Sequence, residues 1–150
     1  MATECIPQLT FKCYPKTTTV ARFDQAHAST DGGVVLLKAL DDRLQLTDRL
    51  AACLPDRRDP DKVRHAVRDL LRQRIFGLAC GYEDGNDAAR LADDPLHKLA
   101  VGRDPVTEDA LASQPTLSRF KNAVGPRALY GMGRMLAAAV IAQHRHRLKG

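Results

Sequence analysis

The strongest helical pattern in the sequence lies in VRHAVRDLLRQRIFGL, residues 63–78. Its apolar residues recur at steps of three and four along the chain, which is the spacing of one face of an α-helix. Gly81 marks the end of the repeat, because glycine readily adopts the left-handed conformation that closes a helix. The segment therefore predicts a long helix, and a mainly α-helical fold is the expected class. The repeat comprises Val63, Val67, Leu70, Leu71, Ile75 and Leu78.

The same predicted helix carries three arginines at a spacing of four residues: Arg64, Arg68 and Arg72. Three guanidinium groups within about two turns can each donate charge-assisted hydrogen bonds to a phosphate backbone. The alternative, which the sequence alone favours, is a solvated face that nearby acids such as Asp69 partly neutralise.

Upstream of this helix, the β-prone piece TTTVARF, residues 17–23, predicts a short strand or hairpin. We therefore divide the chain into a strand-like segment, residues 1–28, and a small helical domain, residues 29–150. The motif STDGG, residues 29–33, opens the helical part. It precedes a helix whose predicted apolar stripe consists of Val34, Leu37, Leu40 and Leu44.

Downstream, SQPTLSRFKN, residues 113–122, predicts a helix that starts near Pro115. Leu117, Phe120 and Val124 would face the core. The residues that would then face outward carry hydrogen-bond donors or positive charges, and none of them is acidic. Such side chains are typical of DNA contacts. A short helical turn from Thr107 to Leu111 would precede this helix, so the pair predicts a helix-turn-helix-like element. The predicted DNA contacts here are Gln114, Thr116, Ser118, Arg119, Lys121 and Asn122.

A last predicted helix begins near Pro126, with Leu129, Met132, Leu136 and Val140 expected in the core. Its surroundings are cationic: residues 110–150 contain seven Lys and Arg residues and no acid, whereas the whole chain of 150 residues has a formal charge of +5. This segment would attract a phosphate polymer or an acidic protein surface. An ordinary solvated surface is the alternative.

The remaining composition excludes several classes of site. The four cysteines lack a C-x-x-C pair, which favours free thiols in a reducing cytoplasm over a zinc ribbon. The apolar run at residues 136–142 is too short to span a membrane. The loop acids Glu83, Asp84, Asp87, Asp93 and Asp94 are more typical of helix caps than of a two-metal site. We predict no catalytic residue, metal ligand or cofactor in this chain.

The order of three segments resembles the N-terminal region of bacterial insertion-sequence DDE transposases, notably the thirteen-eighty family. The resemblance covers about residues 18–140, and GYED and LASQPTLSRF are its specific parts. The segments are STDGGVVLLKALDDRLQL, LLRQRIFGLACGYEDGNDAARLADDPLHKLAVGRD and LASQPTLSRFKN.

The resemblance implies a cut-and-paste enzyme that holds Mg²⁺ or Mn²⁺ with three acids on an RNase H-like fold. It also implies a helical N-terminal region that binds the terminal inverted repeats of the element. The family's first catalytic Asp is expected just beyond the last helix, but no acid follows Asp109 in this sequence. We therefore expect this chain to be an N-terminal fragment or truncated reading frame, inactive by itself.

Two functions follow as expectations. The first is binding of double-stranded DNA at the ends of the element. This binding would occur in the bacterial cytoplasm, at the nucleoid, and no membrane partner is expected. The second is a helical interaction module that meets the missing catalytic domain or a second protomer.

Overall fold

The computed structural model describes residues 8–11, 19–22 and 31–147, and this part of the chain is mainly α-helical. It contains two strands, one 3₁₀ turn and seven α-helices. Their bounds are β1 Gln8–Phe11, β2 Thr19–Arg22, α1 Val34–Leu44, α2 Leu46–Ala51, the 3₁₀ turn Pro60–Lys62, α3 Val67–Ala79, α4 Asp87–Leu91, α5 Pro95–Val101, α6 Gln114–Ala123 and α7 Pro126–Arg147.

The two strands form an antiparallel hairpin. Gln8 pairs with Arg22 at one end and Phe11 pairs with Thr19 at the other. Strand β2 lies within residues 17–23, the segment for which the sequence predicts a strand.

Helix α3 is the central element, and it packs against α2 and α5. Its start was predicted too early: residues 60–62 form a 3₁₀ turn capped by Asp59, and Ala66 is extended, so the α-helix begins only at Val67. Its end agrees with the prediction. Gly81 has a φ of +92°, and this reversal lets the Tyr82 amide donate to the carbonyl of Gly77 at 2.9 Å.

Two apolar clusters lie on either side of α3. Phe76 joins Val34, Val35 and Ala100 in the first cluster, which connects α3 to α1 and α5. Leu71 joins Leu50 and Leu54 in the second cluster. Full burial of each such side chain contributes about 1.5–3 kcal/mol relative to exposure. The two clusters fix α3 between the neighbouring helices.

Helix α1 is rotated relative to the predicted apolar stripe. Val34 is buried as expected, but Leu40 is 49% exposed, and the charged side chains of Lys38 and Asp41 are buried instead. Hydrogen bonds explain this rotation, because the Asp41 carboxylate accepts from both the amide and the hydroxyl of Thr47. A carboxylate committed to these donors must face inward, and the leucines on the other side of α1 then face outward.

Helix α7 also buries less than the sequence predicts. Met132 packs against the second cluster together with Met135, whereas Leu129 is 58% exposed and Val140 is 67% exposed. Leu136 is exposed as well. The helix meets α2 along one side, where a Cβ at Gly131 would lie 3.7 Å from the Cβ of Cys53. This single line of contact leaves an apolar surface of α7 exposed to solvent.

The helix-turn-helix prediction was wrong in its first helix. Residues 105–107 form a turn, because the carboxylate of Asp104 accepts hydrogen bonds from the amides of Val106 and Thr107 at 2.8 and 2.9 Å. Beyond it the chain is non-helical, and the buried side chain of Gln73 bonds both the amide and the carbonyl of Ala112. Inside the predicted helical turn, the amide of Leu111 donates to the carbonyl of Ala92 at 2.8 Å instead of to a carbonyl of the turn. Helix α6 therefore follows a non-helical segment.

Within residues 31–147, none of the helices is long and apolar enough to cross a membrane.

Candidate nucleic-acid interface

Helix α6 begins where the sequence predicts it. Ser113 is extended, with φ −68° and ψ 161°, and its carbonyl accepts hydrogen bonds from the amides of Thr116 and Leu117, both at 3.0 Å. Pro115 lies in the first turn, where its missing amide hydrogen has no cost. The start of α6 is thus fixed by backbone geometry.

The inward side of α6 is the predicted one. Phe120 and Val124 pack against the cluster of Leu50, Leu54 and Leu71. Leu117 lines a small cleft between α3 and α4. Because these contacts fix the rotation of α6 about its axis, they also decide which residues face solvent.

The outward side divides into exposed and half-buried residues. Arg119, Lys121 and Asn122 are exposed. Gln114, Thr116 and Ser118 are half-buried, which makes them less accessible than the sequence predicts. The amide nitrogen of Gln114 donates to the hydroxyl of Ser118 at 3.2 Å. The exposed side chains of α6 therefore include two cations, Arg119 and Lys121.

The three arginines at a spacing of four do not share one surface. Arg64 is exposed but precedes α3, since that helix begins at Val67. The side chain of Arg68 is 50% exposed and lies 3.6 Å from a carboxylate oxygen of Asp48 and 3.5 Å from one of Asp69. Both side chains are accessible to a phosphate, but Arg68 already has anionic neighbours.

The prediction that Arg72 contacts DNA was wrong, because its side chain is only 7% exposed. Its Nε donates to the hydroxyl of Thr47 at 2.9 Å and lies 3.3 Å from the Asp41 carboxylate. Its Nη2 donates to Asp48 at 3.2 Å. A buried guanidinium with these partners holds α1, α2 and α3 together and is not available to DNA. The acids that pair with Arg72, Asp48 and Asp41, lie 24 and 31 residues before it in the sequence. The spacing of residues along α3 therefore could not predict this contact.

A cleft of about 390 Å³ beside α3 contains Arg64, Arg68 and Arg103 together with three acids, Asp69, Glu108 and Asp109. Arg103 donates to the carbonyl of Ala110 at 2.9 Å and lies 2.8 Å from the Nδ1 of His65. Burial and the adjacent Arg103 lower the pKa of His65, so the neutral ring accepts this hydrogen bond. The balance of charges makes the cleft a poorer phosphate site than α6.

A family model described as Transposase DDE domain group 1 matches residues 12–149. The chain belongs to this transposase family. No curated protein and no solved structure matches it. The match supports the resemblance at the level of a DDE-type transposase, and it covers every helix described above. DNA is the partner that membership of a transposase family implies.

The loop acids of this transposase chain serve local structure. Asp94 caps α5 by accepting hydrogen bonds from the amides of Leu96 and His97, both at 2.9 Å. Asp84 accepts from the amide of Asn86, and these hydrogen bonds lower its pKa. Within residues 31–147, no three of the acids Glu83, Asp84, Asp87, Asp93 and Asp94 lie close enough to hold one metal ion. They do not fit the two-metal site of a DDE enzyme.

Sequence reasoning missed a second polar group, which the segments carrying the resemblance bring together. Asp31 comes from STDGG, Tyr82 from GYED, and His97 from DDPLHK. The hydroxyl of Tyr82 donates to Asp31 Oδ2 at 2.7 Å, and Nε2 of His97 lies 3.3 Å from the same oxygen. Burial, with Asp31 nearby, raises the pKa of the adjacent Cys80 thiol. The sequence signal for this group was that each of its residues lies in a segment that carries the resemblance.

Proposed function

We propose that this chain is the DNA-binding N-terminal part of a DDE transposase from the thirteen-eighty insertion-sequence family. It recognises the terminal inverted repeats of its element through α6 and acts in the bacterial cytoplasm at the nucleoid. Arg119, Lys121 and Asn122 make the central contacts, and Gln114, Thr116 and Ser118 lie at the edge of the interface. Arg64 and Arg68 are candidate phosphate contacts.

The observation that carries this proposal is the two-sided character of α6. Phe120 packs against the second apolar cluster, whereas its neighbours Arg119 and Lys121 are exposed on the two flanks of the helix. Residues 110–150 contain no Asp or Glu, so no acidic side chain within this segment neutralises these cations. Uncompensated cations beside an amide donor are the side chains expected for contact with phosphates and base edges.

The dimensions of α6 agree with this role. A helix of 10 residues is about 15 Å long. The major groove of B-DNA is about 12 Å wide and admits one α-helix. Arginine there can donate two hydrogen bonds to guanine, and asparagine can pair similarly with adenine. Because Arg119 lies one turn inside α6, it can reach a base edge or a phosphate when the helix enters the groove.

Arg119→Ala tests the proposal, with Arg57→Ala as the matched control. Arg57 is an exposed arginine in the loop between α2 and α3, outside the proposed interface. Fluorescence anisotropy would compare a duplex containing the inverted repeat with a shuffled duplex at several salt concentrations. A base contact predicts a loss of about 1–3 kcal/mol on the repeat only. A phosphate contact predicts equal weakening on both duplexes and a salt slope smaller by about one.

Unchanged affinity of a folded Arg119→Ala chain for both duplexes at low salt would exclude α6 as the interface. Equal losses for Arg119→Ala and Arg57→Ala would show that only the net charge matters.

The exposed apolar surfaces favour a second function, that of a helical interaction module. Leu36 and Leu40 of α1, and Leu129 and Val140 of α7, are each about half or more exposed. Contiguous exposed apolar residues are typical of protein interfaces. The occupant would be the catalytic domain of the transposase or a second protomer. Sedimentation of the chain over a range of concentrations would reveal self-association, and a strictly monomeric chain would leave the catalytic domain as the partner.

A further inference from the structure

Three metal-ligating side chains converge on the side of α3 that faces α1 and α5. A ring nitrogen of His97, a carboxylate oxygen of Asp31 and Sγ of Cys80 all lie within 4.8 Å of one another. His97 is 1% exposed and Asp31 is 9% exposed. In the part of the chain that the structure describes, no other group of three His, Cys, Asp or Glu residues is so arranged.

We propose that Asp31, Cys80 and His97 form a binding site for one transition-metal ion, with Zn²⁺ as the best match. Zinc takes imidazole nitrogen, thiolate sulfur and carboxylate oxygen in one tetrahedral shell. Thiolate and imidazole do not suit Mg²⁺, which requires hard oxygen ligands. The site is therefore distinct from the carboxylate site that a DDE enzyme uses for catalysis.

The distance between His97 and Asp31 supports this assignment. Nε2 lies 3.3 Å from Oδ2, which is longer than the roughly 2.7–2.9 Å of a charge-assisted hydrogen bond between these groups. Two donors bound to zinc at about 2.1 Å in a tetrahedron stand about 3.4 Å apart. The nitrogen and oxygen are thus already spaced as the edge of a zinc tetrahedron. Sγ lies within 4.8 Å of both atoms, so a movement of at most about 1.5 Å completes the third corner.

The surroundings supply the outer contacts that orient metal ligands. The hydroxyl of Tyr82 donates to Asp31 Oδ2, and the Tyr82 ring meets the His97 ring edge-on, with centroids 5.8 Å apart. The carboxylate of Asp94 accepts from the backbone amide of His97. Such hydrogen bonds to metal ligands fix their orientation. A carboxylate oxygen has two lone pairs, so Asp31 can accept from Tyr82 and still bind a metal.

The three ligands come from different parts of the fold. Asp31 precedes α1, Cys80 follows α3, and His97 lies on α5. One ion would join these three elements at the edge of the first apolar cluster, and water would fill the fourth position. This proposal departs from the sequence-based expectation of no metal ligand, because the ligands are 49 and 17 residues apart and show no recognisable spacing.

The site is tested by titrating Co²⁺ into the full-length chain after its thiols have been reduced and bound metal has been removed with a chelator. Co²⁺ occupies zinc sites, and its absorption spectrum reports which atoms bind it. The expected result is a thiolate-to-cobalt charge-transfer band in the near ultraviolet that saturates at one Co²⁺ per chain and disappears when Zn²⁺ is added. Cys80→Ser should abolish the band. Cys53→Ser, the matched control in the segment after α2, should retain it. Tyr82→Phe should retain the band but bind about 10–100-fold more weakly.

A second measurement on the unmodified chain keeps the proposal testable if Cys80→Ser does not fold. Zn²⁺ should slow the alkylation of Cys80 by iodoacetamide, mapped by mass spectrometry, and leave the alkylation of Cys53 unchanged. The proposal fails if the unmodified chain gives no charge-transfer band, if the band persists in folded Cys80→Ser, or if Zn²⁺ does not protect Cys80. In those cases Asp31, Tyr82 and His97 form only a hydrogen-bonded network.

Discussion

Replacement of Arg72 by methionine should strongly destabilise the fold. Methionine is of similar length and keeps apolar contacts, but it removes the guanidinium that lies beside Asp41 and Asp48. The side chain of Asp41 is 4% exposed, so its carboxylate would remain buried without its cationic partner. Breaking a buried ion pair in this way typically costs about 3–5 kcal/mol. That is a large part of the roughly 5–15 kcal/mol that holds a domain together.

Urea unfolding followed by far-ultraviolet circular dichroism measures this loss. With a slope of about 1–3 kcal/mol per molar urea, the midpoint should fall by about 2 M. Arg68→Met is the matched control, because the Arg68 side chain is 50% exposed and its pairs with Asp48 and Asp69 are screened by solvent. Its free energy of unfolding should change by less than about 1 kcal/mol.

A double variant separates the ion pair from simple packing. Asp41→Asn together with Arg72→Met removes both charges, so the combined loss should be smaller than the sum of the single losses by about 0.5–3 kcal/mol. A loss below about 1 kcal/mol for Arg72→Met, or strict additivity in the double variant, would refute the structural role of Arg72. In that event Arg72 would again be a candidate for DNA contact.

Two further predictions concern pH and catalysis. Burial and Arg103 lower the pKa of His65 below its ordinary 6.5, so the unfolded chain binds more protons than the folded one as pH falls below that value. The free energy of unfolding should therefore be greatest above pH 6.5 and decrease as the pH falls below it, and His65→Gln should remove this part of the dependence in pH-resolved urea titrations. On DNA bearing the element's ends, the chain should show no nicking or strand transfer with Mg²⁺ or Mn²⁺ in gel assays. Cleavage that is lost when Asp84, Asp87, Asp93 and Asp94 are replaced together would contradict the assignment of these acids to local structure.

Local periodicity predicted helices well, but it did not always predict which side of a helix is buried. In α6 the apolar residues Leu117, Phe120 and Val124 define one inward side, and the structure agrees at each position that it tests. In α1 the leucines are equally periodic, yet Leu40 is exposed because Asp41 on the adjacent side is held by Thr47. A buried carboxylate with distant partners can outweigh an apolar stripe, and no pattern within α1 reveals those partners.

Long-range side-chain bonds explain the other differences. The predicted short helix before α6 is replaced by a non-helical segment, in which the amide of Leu111 bonds the distant carbonyl of Ala92 and Gln73, 39 residues away, bonds both backbone groups of Ala112. The network around Asp31 and His97 joins residues 66 positions apart. Spacing rules describe one helix or one turn at a time, so contacts of this kind lie beyond them. The quoted motifs indicated that these segments matter, but not that their polar side chains meet.

Nearby acids separate three arginines, which form a first group, from Arg119, which represents a second. Arg72, Arg68 and Arg103 precede Asp109 in sequence, and each lies within 4.0 Å of a carboxylate oxygen. Arg119 lies in residues 110–150, where the sequence contains no acid, and it is exposed. Arginines of the first group release few counterions on binding DNA, because their charge is already partly neutralised within the protein. The salt dependence of DNA binding should therefore arise mainly from the second group, and this is why Arg119 on α6, rather than the three-arginine pattern of α3, is the residue on which the DNA-binding proposal depends.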